Sequence, residues 1–532
     1  MTSTAQYDHI VVGGGSAGCI VAARLAESGA RVLLLEAGDE ASDHPETLSS
    51  DGFKDAFAND ATMFHRMASP QIDGSGKAKF VGTGRGMGGS GSVNGMVYTR
   101  GDVRDFENWP AGWQWDDNLP AFQAIEDKLG IRSREPTPFV QRFIDAACAA
   151  GLERKDGMND GDLRGVVGAN TMNFEGEWRR SSYVAWLHGN RPASLTVSCQ
   201  SQATRILFDE QRRATGVEYR QNGQTKQATL SGELVLTAGA LETPRLLMLS
   251  GVGPAANLDE VGISVVQDAP GVGQHLLDHP NVGLVYKSKD PVDFTYPQVY
   301  AFDNAERPAD APKDQKADTC FVLFAVSPTI KHTMLRMGPV TALPGKLYHI
   351  APLRALIRGL IHLIFAIPGV KRSLGGIFGL LVILGKPHSR GSIRLRSANP
   401  DEPADIDLAY FRESRDKEIV EAGIRKARSI AAQPQLADCR PLNPTAKPDT
   451  PPDKLWAAIH GVSMTTFHFA GTCRMGDDPD SPLDSELRVK GLANVRVADA
   501  SAMPEVPVSA LNAPSMMIGY RAADFILGES TP

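Results

Sequence analysis

Cysteine is scarce: six in 532 residues, Cys19, Cys148, Cys199, Cys320, Cys439 and Cys473, with no short paired spacing among them. That excludes a disulfide framework and a cysteine zinc site, both of which need close pairs. A basic surplus is also missing. With 55 Lys and Arg against 62 Asp and Glu, the formal charge is −7, and no nucleic-acid partner is expected. The longest apolar stretches, LRALIRGLIHLIFAIPGV at 353–370 and LGGIFGLLVILG at 374–385, fall short of the roughly 20 residues that span a bilayer. Arg354, Arg358, Lys371 and Arg372 interrupt them further. These stretches read either as a core helix pair or substrate roof, or as a surface that lies on a membrane or partner. The N-terminus, MTSTAQYDH, lacks the positive region of a secretory signal, so a cytoplasmic location is the expectation. No internal repeat is visible.

What is present begins at residue 8. DHIVV reads as a strand, GGGSAG as a turn, CIVAARLAESG as a helix and RVLLLEAG as a second strand ending in Glu36. Gly13, Gly15 and Gly18 fit G-x-G-x-x-G, with the intervening Ser16 and Ala17 opening the helix. The first glycine serves the tight turn, the second the approach of pyrophosphate and the third close helix packing. Unpaired amides at the helix N-terminus would face the phosphates. Glu36, 18 residues after Gly18, can accept ribose hydroxyls and disfavours a 2′-phosphate. This element marks a dinucleotide site without separating FAD from NAD, which share the ADP half.

A second glycine cluster, GTGRGMGGSGSVNGMVYTRG at 82–101, holds eight glycines. Such density cannot form a packed helix or strand and suits a chain laid against a large planar ligand. Beyond it, 105–150 carries tryptophans and helical periodicity, 195–220 alternates like strands, and GALETPRLLMLSGVGP reads as a strand end, a turn and a helix stopped by Pro254. Polar, proline-containing stretches at 303–318 and 442–454 read as surface loops, and 513–527 as a closing helix. FHFAGTCRMG at 467–476 places His468 among apolar residues. By itself it could be a core histidine, a proton acceptor or a ligand. His275 and His279 in QHLLDHP read as structural.

Taken together, these motifs resemble the glucose-methanol-choline (GMC) oxidoreductases, and in particular their bacterial choline dehydrogenase-like and alcohol dehydrogenase flavoproteins. The resemblance runs nearly the whole length, through GRGMGGSGSVNGMVYTRGDVRDFENW, GALETPRLLMLSGVGP, GVGQHLLDHP, PHSRGSIRLRS, FHFAGTCRMG and GLANVRVADASAMPEVPVSALNAPSMMIGYRAAD. One departure is Ala240, where the family often has serine. The resemblance implies an α/β (α+β overall) fold: a Rossmann-like FAD-binding domain with a second substrate-binding domain built on an antiparallel sheet with helices. It implies FAD-binding stretches at 1–155, 192–290 and 461–532, a substrate-domain excursion at 156–191, and a substrate-binding domain at 291–460 carrying the apolar segment 353–385.

By the same resemblance, FAD contacts are expected from Gly13, Gly15, Ser16, Ala17, Gly18 and Glu36, then from Gly88, Gly89, Ser92, Val93, Asn94, Gly95 and Val97. Backbone contacts to adenine are expected at Val197 and Ala238, and contacts near the ribityl chain and pyrophosphate at Asp499 and Ala500. Valine at 93, where some members carry a flavin-linking histidine, implies non-covalent FAD. The catalytic pair falls on His468 and, 44 residues later, Asn512, which also faces the flavin. A histidine with a pKa of about 6.5 can take the alcohol proton as hydride leaves for flavin N5. An asparagine amide can only donate to the developing alkoxide; such a donor is typically worth roughly 2.7–4 kcal/mol in the transition state.

The expected reaction is oxidation of an apolar primary alcohol, aliphatic or aromatic, to the aldehyde. FVLFAVSP at 321–328 and the apolar segment suit such a substrate better than a sugar. A choline-like substrate would need a cage of rings and a carboxylate; Phe64, Trp109 and Phe467 could supply rings. Oxygen or a quinone-like molecule would take the electrons, the apolar segment favouring the quinone and a peripheral contact with the inner membrane. Hydroxynitrile lyase and fatty acid photodecarboxylase chemistries, found in relatives, stay open, as does the oligomeric state. No metal is expected.

Overall fold

A computed structural model describes residues 6–70, 76, 78–308, 315–343 and 345–529. Its centre is a seven-stranded sheet whose strands run, from one edge, Leu195–Ser198, Val32–Leu35, Gln6–Val12, Gln224–Leu236, Ala214–Gln221 and Ser201–Phe208. Val495–Val497 returns from the far end of the chain to pair in parallel with Gln224–Leu236. Pairing is parallel from Leu195–Ser198 through Gln6–Val12 to Gln224–Leu236, and antiparallel in the remaining meander. Val32, Leu33, Leu34 and Leu35 are all buried, because a parallel sheet is covered on both faces. The Gly13 turn feeds the helix Ser16–Glu27, nine of whose residues are buried.

A second, eight-stranded sheet is largely antiparallel. It runs Arg440–Pro441, Pro280–Lys287, Ile377–Leu384, Thr319–Ala325, Val299–Asp303, Val166–Ala169 and Glu153–Arg154, with Met464–Thr465 also paired to Pro280–Lys287. Three expectations change here. Pro280–Lys287, inside the stretch 192–290 expected in the first domain, belongs to the second sheet. The apolar run 374–385 is not half of a helix pair: it contains the strand Ile377–Leu384, flanked by Pro280–Lys287 and Thr319–Ala325. A central strand that is mostly buried on both faces has no period-2 alternation, so its apolar run looks like buried helix. Thirdly, Pro254 does not stop the helix Thr243–Leu249, which has already ended before Gly251 at φ +85; the proline instead caps Ala255–Glu260. Of the polar stretch at 303–318, residues 309–314 lie outside the described residues.

The hairpin between the two inner strands of this sheet is helical. Val326–Ala342 follows Thr319–Ala325 directly, and Ala351–Ala366 folds back over it before Ile377–Leu384 begins. Arg336, Arg354 and Arg358 from these two helices converge on Asp60 at 3.0, 3.3 and 2.5 Å, clamping the hairpin to the segment after the helix Phe53–Ala58. Burial pushes the Asp60 carboxyl up, but bonds from His65 and Arg358 outweigh it and hold the group far below the usual carboxylate range.

The closing helix, Asn512–Leu527, packs on Ser16–Glu27. Gly519 makes the approach possible: a Cβ there would sit 2.8 Å from both Cα and Cβ of Ala17. Arg24 fastens the far end, donating to the Tyr520 carbonyl at 2.8 Å and to Asp524 at 2.5 Å. A larger side chain at 519 must push the helices apart. Gly519→Val is predicted to lower stability by about 1–3 kcal/mol, read as a lower denaturant midpoint. An unchanged midpoint would mean that the two helices have slack.

Candidate active site

The end of Gln6–Val12 opens into a cavity of about 550 Å³ that reaches from the first sheet to the hairpin. Gly13, at φ +109, lies so close to Thr237 that a Cβ would meet its carbonyl oxygen at 2.5 Å. Gly15 caps the first helix with no side chain over its amides, which leaves them directed at the cavity. Glu36 is 6% exposed, and its carboxylate accepts backbone N–H groups of Gly14 (2.8 Å), Gly38 (2.8 Å) and Gly86 (3.0 Å). Burial raises its pKa against the pull of those three donors. The carboxylate thus ties the two glycine-rich segments together as well as lining the cavity.

The second glycine segment lies on the first, backbone to backbone. The Gly88 amide donates to the Gly14 carbonyl at 2.7 Å, and a Cβ on Gly89 would sit 2.8 Å from the Gly15 Cα. Arg179, wholly buried, holds this loop by donating to the carbonyls of Gly91 (3.1 Å) and Asn94 (2.6 Å) and to the Asn94 side chain (2.7 Å). Its pKa is pushed down to about 9 by burial. In the sequence this residue is part of a short RRSS run with nothing to distinguish it.

The cavity wall brings together Gly13, Gly15, Ser16, Ala17, Glu36, Gly89, Val93, Asn94, Gly95, Val97, Ala238, Asp499, Ala500, His468 and Asn512. Four expected contacts stand behind it. Gly18 packs the helix on the turn, where a Cβ would be 1.9 Å from the Gly13 carbonyl oxygen, and Gly88 and Ser92 face each other inside the loop. Val197 is displaced more instructively. It sits in register opposite Leu34 within the sheet, and the chain reverses at Gln200 (φ +53) before Ser201, Gln202 and Ala203 reach the wall. The crevice of an α/β sheet opens beyond strand ends, so it is the residues after the strand, not Val197, that line the cavity. Asp499, 4% exposed, accepts Gly239 N–H, the Thr243 hydroxyl and the Ser501 amide, joining the C-terminal segment to the end of the first sheet.

His468 follows Phe467, whose φ of +62 is a genuine outlier for a bulky residue. Such a conformation costs of order 1–3 kcal/mol and is held by its surroundings. Here the Phe467 ring packs edge-on against Phe57 and Phe80. The His468 amide donates to Asp278 at 2.9 Å, and Asp278 in turn accepts the Tyr410 hydroxyl. The His468 Nδ1 lies 2.9 Å from Nδ1 of His279, the rings nearly perpendicular at 85°. His279, read from QHLLDHP as structural, is in direct contact with the candidate base; no local signal reveals a partner 189 residues away.

One proton can occupy that Nδ1–Nδ1 contact. Where His468 is the ring that donates from Nδ1, its Nε2 keeps a lone pair and can accept a proton. Burial pushes His468 down to about 4 and His279 well below 6.5, so both rings are neutral near neutral pH. Across the wall, Asn512 Oδ1 accepts the Ser16 hydroxyl at 2.7 Å, which commits the oxygen and leaves the NH₂ group to donate. The site therefore offers a neutral proton acceptor and an oriented amide beside a dinucleotide cradle.

Comparison with known proteins gives the family. Models of the GMC oxidoreductases match residues 7–281 and 387–519, and the chain belongs to that family. It is 33% identical to choline oxidase of Arthrobacter globiformis over 99% of this chain and 96% of that one. It is also 33% identical to alcohol dehydrogenase [acceptor] of Pseudomonas putida, over 98% and 96%. Pyridoxine 4-oxidase from Mesorbium loti superposes with a TM-score of 0.82 at 28% identity, covering 97% of this chain and 98% of that one. The chain is an FAD-dependent oxidoreductase acting on CH–OH donors. The open helix amides and the close glycine backbones fit the FAD diphosphate.

The two neutral histidines make stability sensitive to acid. Each has a folded pKa below the ordinary value, so below about pH 6.5 the unfolded chain takes up protons that the folded chain refuses. Stability is fully present above that pH and falls toward about 4, where His468 begins to protonate in place. Asp278, pushed up to about 6 by burial, works the other way and offsets part of the loss. Denaturant unfolding across this range should therefore show a shallower acid loss in His279→Gln than in the natural chain. Equal slopes would mean that His279 is not held neutral.

Proposed function

We propose that this enzyme oxidises an apolar primary alcohol, aliphatic or aromatic, to its aldehyde, using non-covalently held FAD. The observation that carries the substrate class is the cavity's distal wall. Phe57, Met63, Phe64, Tyr300, Phe324, Met337, Leu381 and Phe467 form it, with Lys54, Thr329, His332 and Thr333 among them. The carboxylates lining the cavity among the described residues are Glu36, Glu242 and Asp499, each engaged at the nucleotide end. A quaternary ammonium substrate would want a carboxylate beside the rings, and the distal wall offers none. Trp109, weighed as a ring for such a cage, packs on Phe106 and Trp113 away from the cavity. Val93 has no nucleophilic atom with which to bond the flavin.

Bound FAD supplies the acceptor for the hydride lost from carbon. The protein's part is to position and to move one proton. His468 Nε2 takes the hydroxyl proton, and His279 accepts the Nδ1–H of the imidazolium that results. The Asn512 amide donates to the alcohol oxygen as negative charge grows there. The apolar wall keeps water out, which strengthens both interactions. A quinone-like molecule then takes the electrons in preference to oxygen, a reading supported by the apolar surface described below.

Anaerobic bleaching of the flavin's visible absorbance, scanned over an alcohol panel, tests the substrate class. Long-chain aliphatic or benzylic alcohols should bleach it, and choline and sugars should not; fast bleaching by choline would overturn the reading. Turnover of a cyanohydrin without bleaching would point to lyase chemistry. His468→Ala should keep FAD and lose roughly 10²–10⁴-fold in the rate of flavin reduction, with Asn512→Ala keeping a larger share. Natural rates in both variants would remove the pair from the reaction. Reoxidation of the bleached enzyme by a soluble quinone should outpace reoxidation by air; the reverse would make it an oxidase.

A further inference from the structure

Between Asp318 and Asp401 lie 82 residues without a single carboxylate side chain. The same stretch holds eleven of the chain's 55 basic residues, in a protein whose net charge is −7. The helical hairpin is its central part, and it falls within residues 282–386, between the two regions that the family models match.

The outer helix, Ala351–Ala366, has its inner face fully engaged. Ile361 packs into the space over Gly338 of the inner helix, and Arg354 and Arg358 reach Asp60 beneath. Its outer face is apolar and exposed. Leu356 is 63% accessible and Leu363 68%, with Leu360, Ile364 and Ile367 beside them. Of the twelve large hydrophobic residues most exposed among the described residues, eight lie between 334 and 367. A contiguous apolar face of this kind on a water-soluble fold marks an interaction surface. No described helix is long and apolar enough to cross a membrane.

We propose that the hairpin 326–373 docks in the surface of an anionic phospholipid bilayer, the outer helix lying in the interface with its leucines and isoleucines among the acyl chains. Charge selects this occupant over a second copy of the chain. Two copies meeting through this face would bring two net basic regions together, since three hairpin arginines share the single Asp60 carboxylate in each, whereas anionic headgroups complement exposed Arg372 and the neighbouring sequence position Lys371. Docking also has a consequence for the site. The inner helix, Val326–Ala342, carries the outer helix on one side and lines the active-site cavity with Thr329, His332, Thr333 and Met337 on the other. The hairpin would therefore hold the cavity's distal wall against the lipid. That an apolar alcohol enters from there rests on the substrate reading above; the docking does not.

Flotation of the FAD-loaded protein with vesicles separates the two. Vesicles of phosphatidylcholine mixed with phosphatidylglycerol should carry the protein upward, less so as salt is raised, and pure phosphatidylcholine should carry far less. The combined variant Leu360→Glu, Leu363→Glu, Ile364→Glu should partition at least roughly ten-fold more weakly, with flavin spectrum, melting temperature and bleaching by a soluble alcohol unchanged. Natural protein that stays unbound on every vesicle, or a variant that floats equally well, would overturn the proposal. So would a dimer that the variant dissolves while neither form floats, which would assign the face to a second copy. Failure of the alcohol panel with flotation intact would count against the substrate class alone.

Discussion

The contact on which the rest of this structure depends is the close approach of its last helix to its first. Gly519 against Ala17 lets two helices nearly five hundred residues apart pack with almost no side chain between them. That seats Asn512 on Ser16, at the N-terminus that receives the diphosphate, and Gly91 closes over the pair with no room for a larger residue, since a Cβ there would meet Ser16 Oγ at 2.6 Å. Val495–Val497 enters the first sheet and Asp499 ties its exit to Gly239 and Thr243. The nucleotide turn and the C-terminal segment that carries Asn512 are thus joined directly rather than being two neighbouring sites.

Dryness is the second constraint, and it acts on charge. A buried imidazole resists protonation, which makes it a neutral acceptor at neutral pH but a costly group to hold without a partner. The structure answers with a second buried histidine, so that each ring orients the other, and with Asp278 and Tyr410 beneath the His468 backbone. The left-handed backbone at Phe467 aims the ring while its own side chain becomes part of the apolar wall. Strain at Phe467 and burial and pairing at His468 thus meet at the residue proposed to take the proton.

How much of this could be read from the chain follows from the range of each signal. The nucleotide turn was legible because its glycines form a local pattern: Gly18 must approach the Gly13 carbonyl five residues back, although Gly13 itself is crowded by the distant Thr237. That His468 and Asn512 both line the cavity could be expected only through resemblance, their spacing being a property of the whole C-terminal segment. His279 and Arg179 were not legible, because each is defined by a partner far away in sequence and neither stands in a pattern of its own. Val197 does not reach the cavity wall, which is formed where the chain reverses at Gln200. The run 374–385 hid a strand because burial on both faces erases the alternation that would have marked it. Its neighbour at 353–370 kept both of its readings open until the helix was seen with one face packed and the other exposed.

The central claim is that a neutral His468 accepts the alcohol proton, and the pH dependence of anaerobic flavin reduction tests it most directly, with His468→Ala measured beside the natural enzyme. A base must be unprotonated to act, and burial sets its pKa below the ordinary histidine value of about 6.5. The account predicts a rate that rises with pH along one ionisation below that value and is level through neutrality, a limb absent from the variant. A rate that falls as pH rises through this range, or the same limb surviving in His468→Ala, would contradict it.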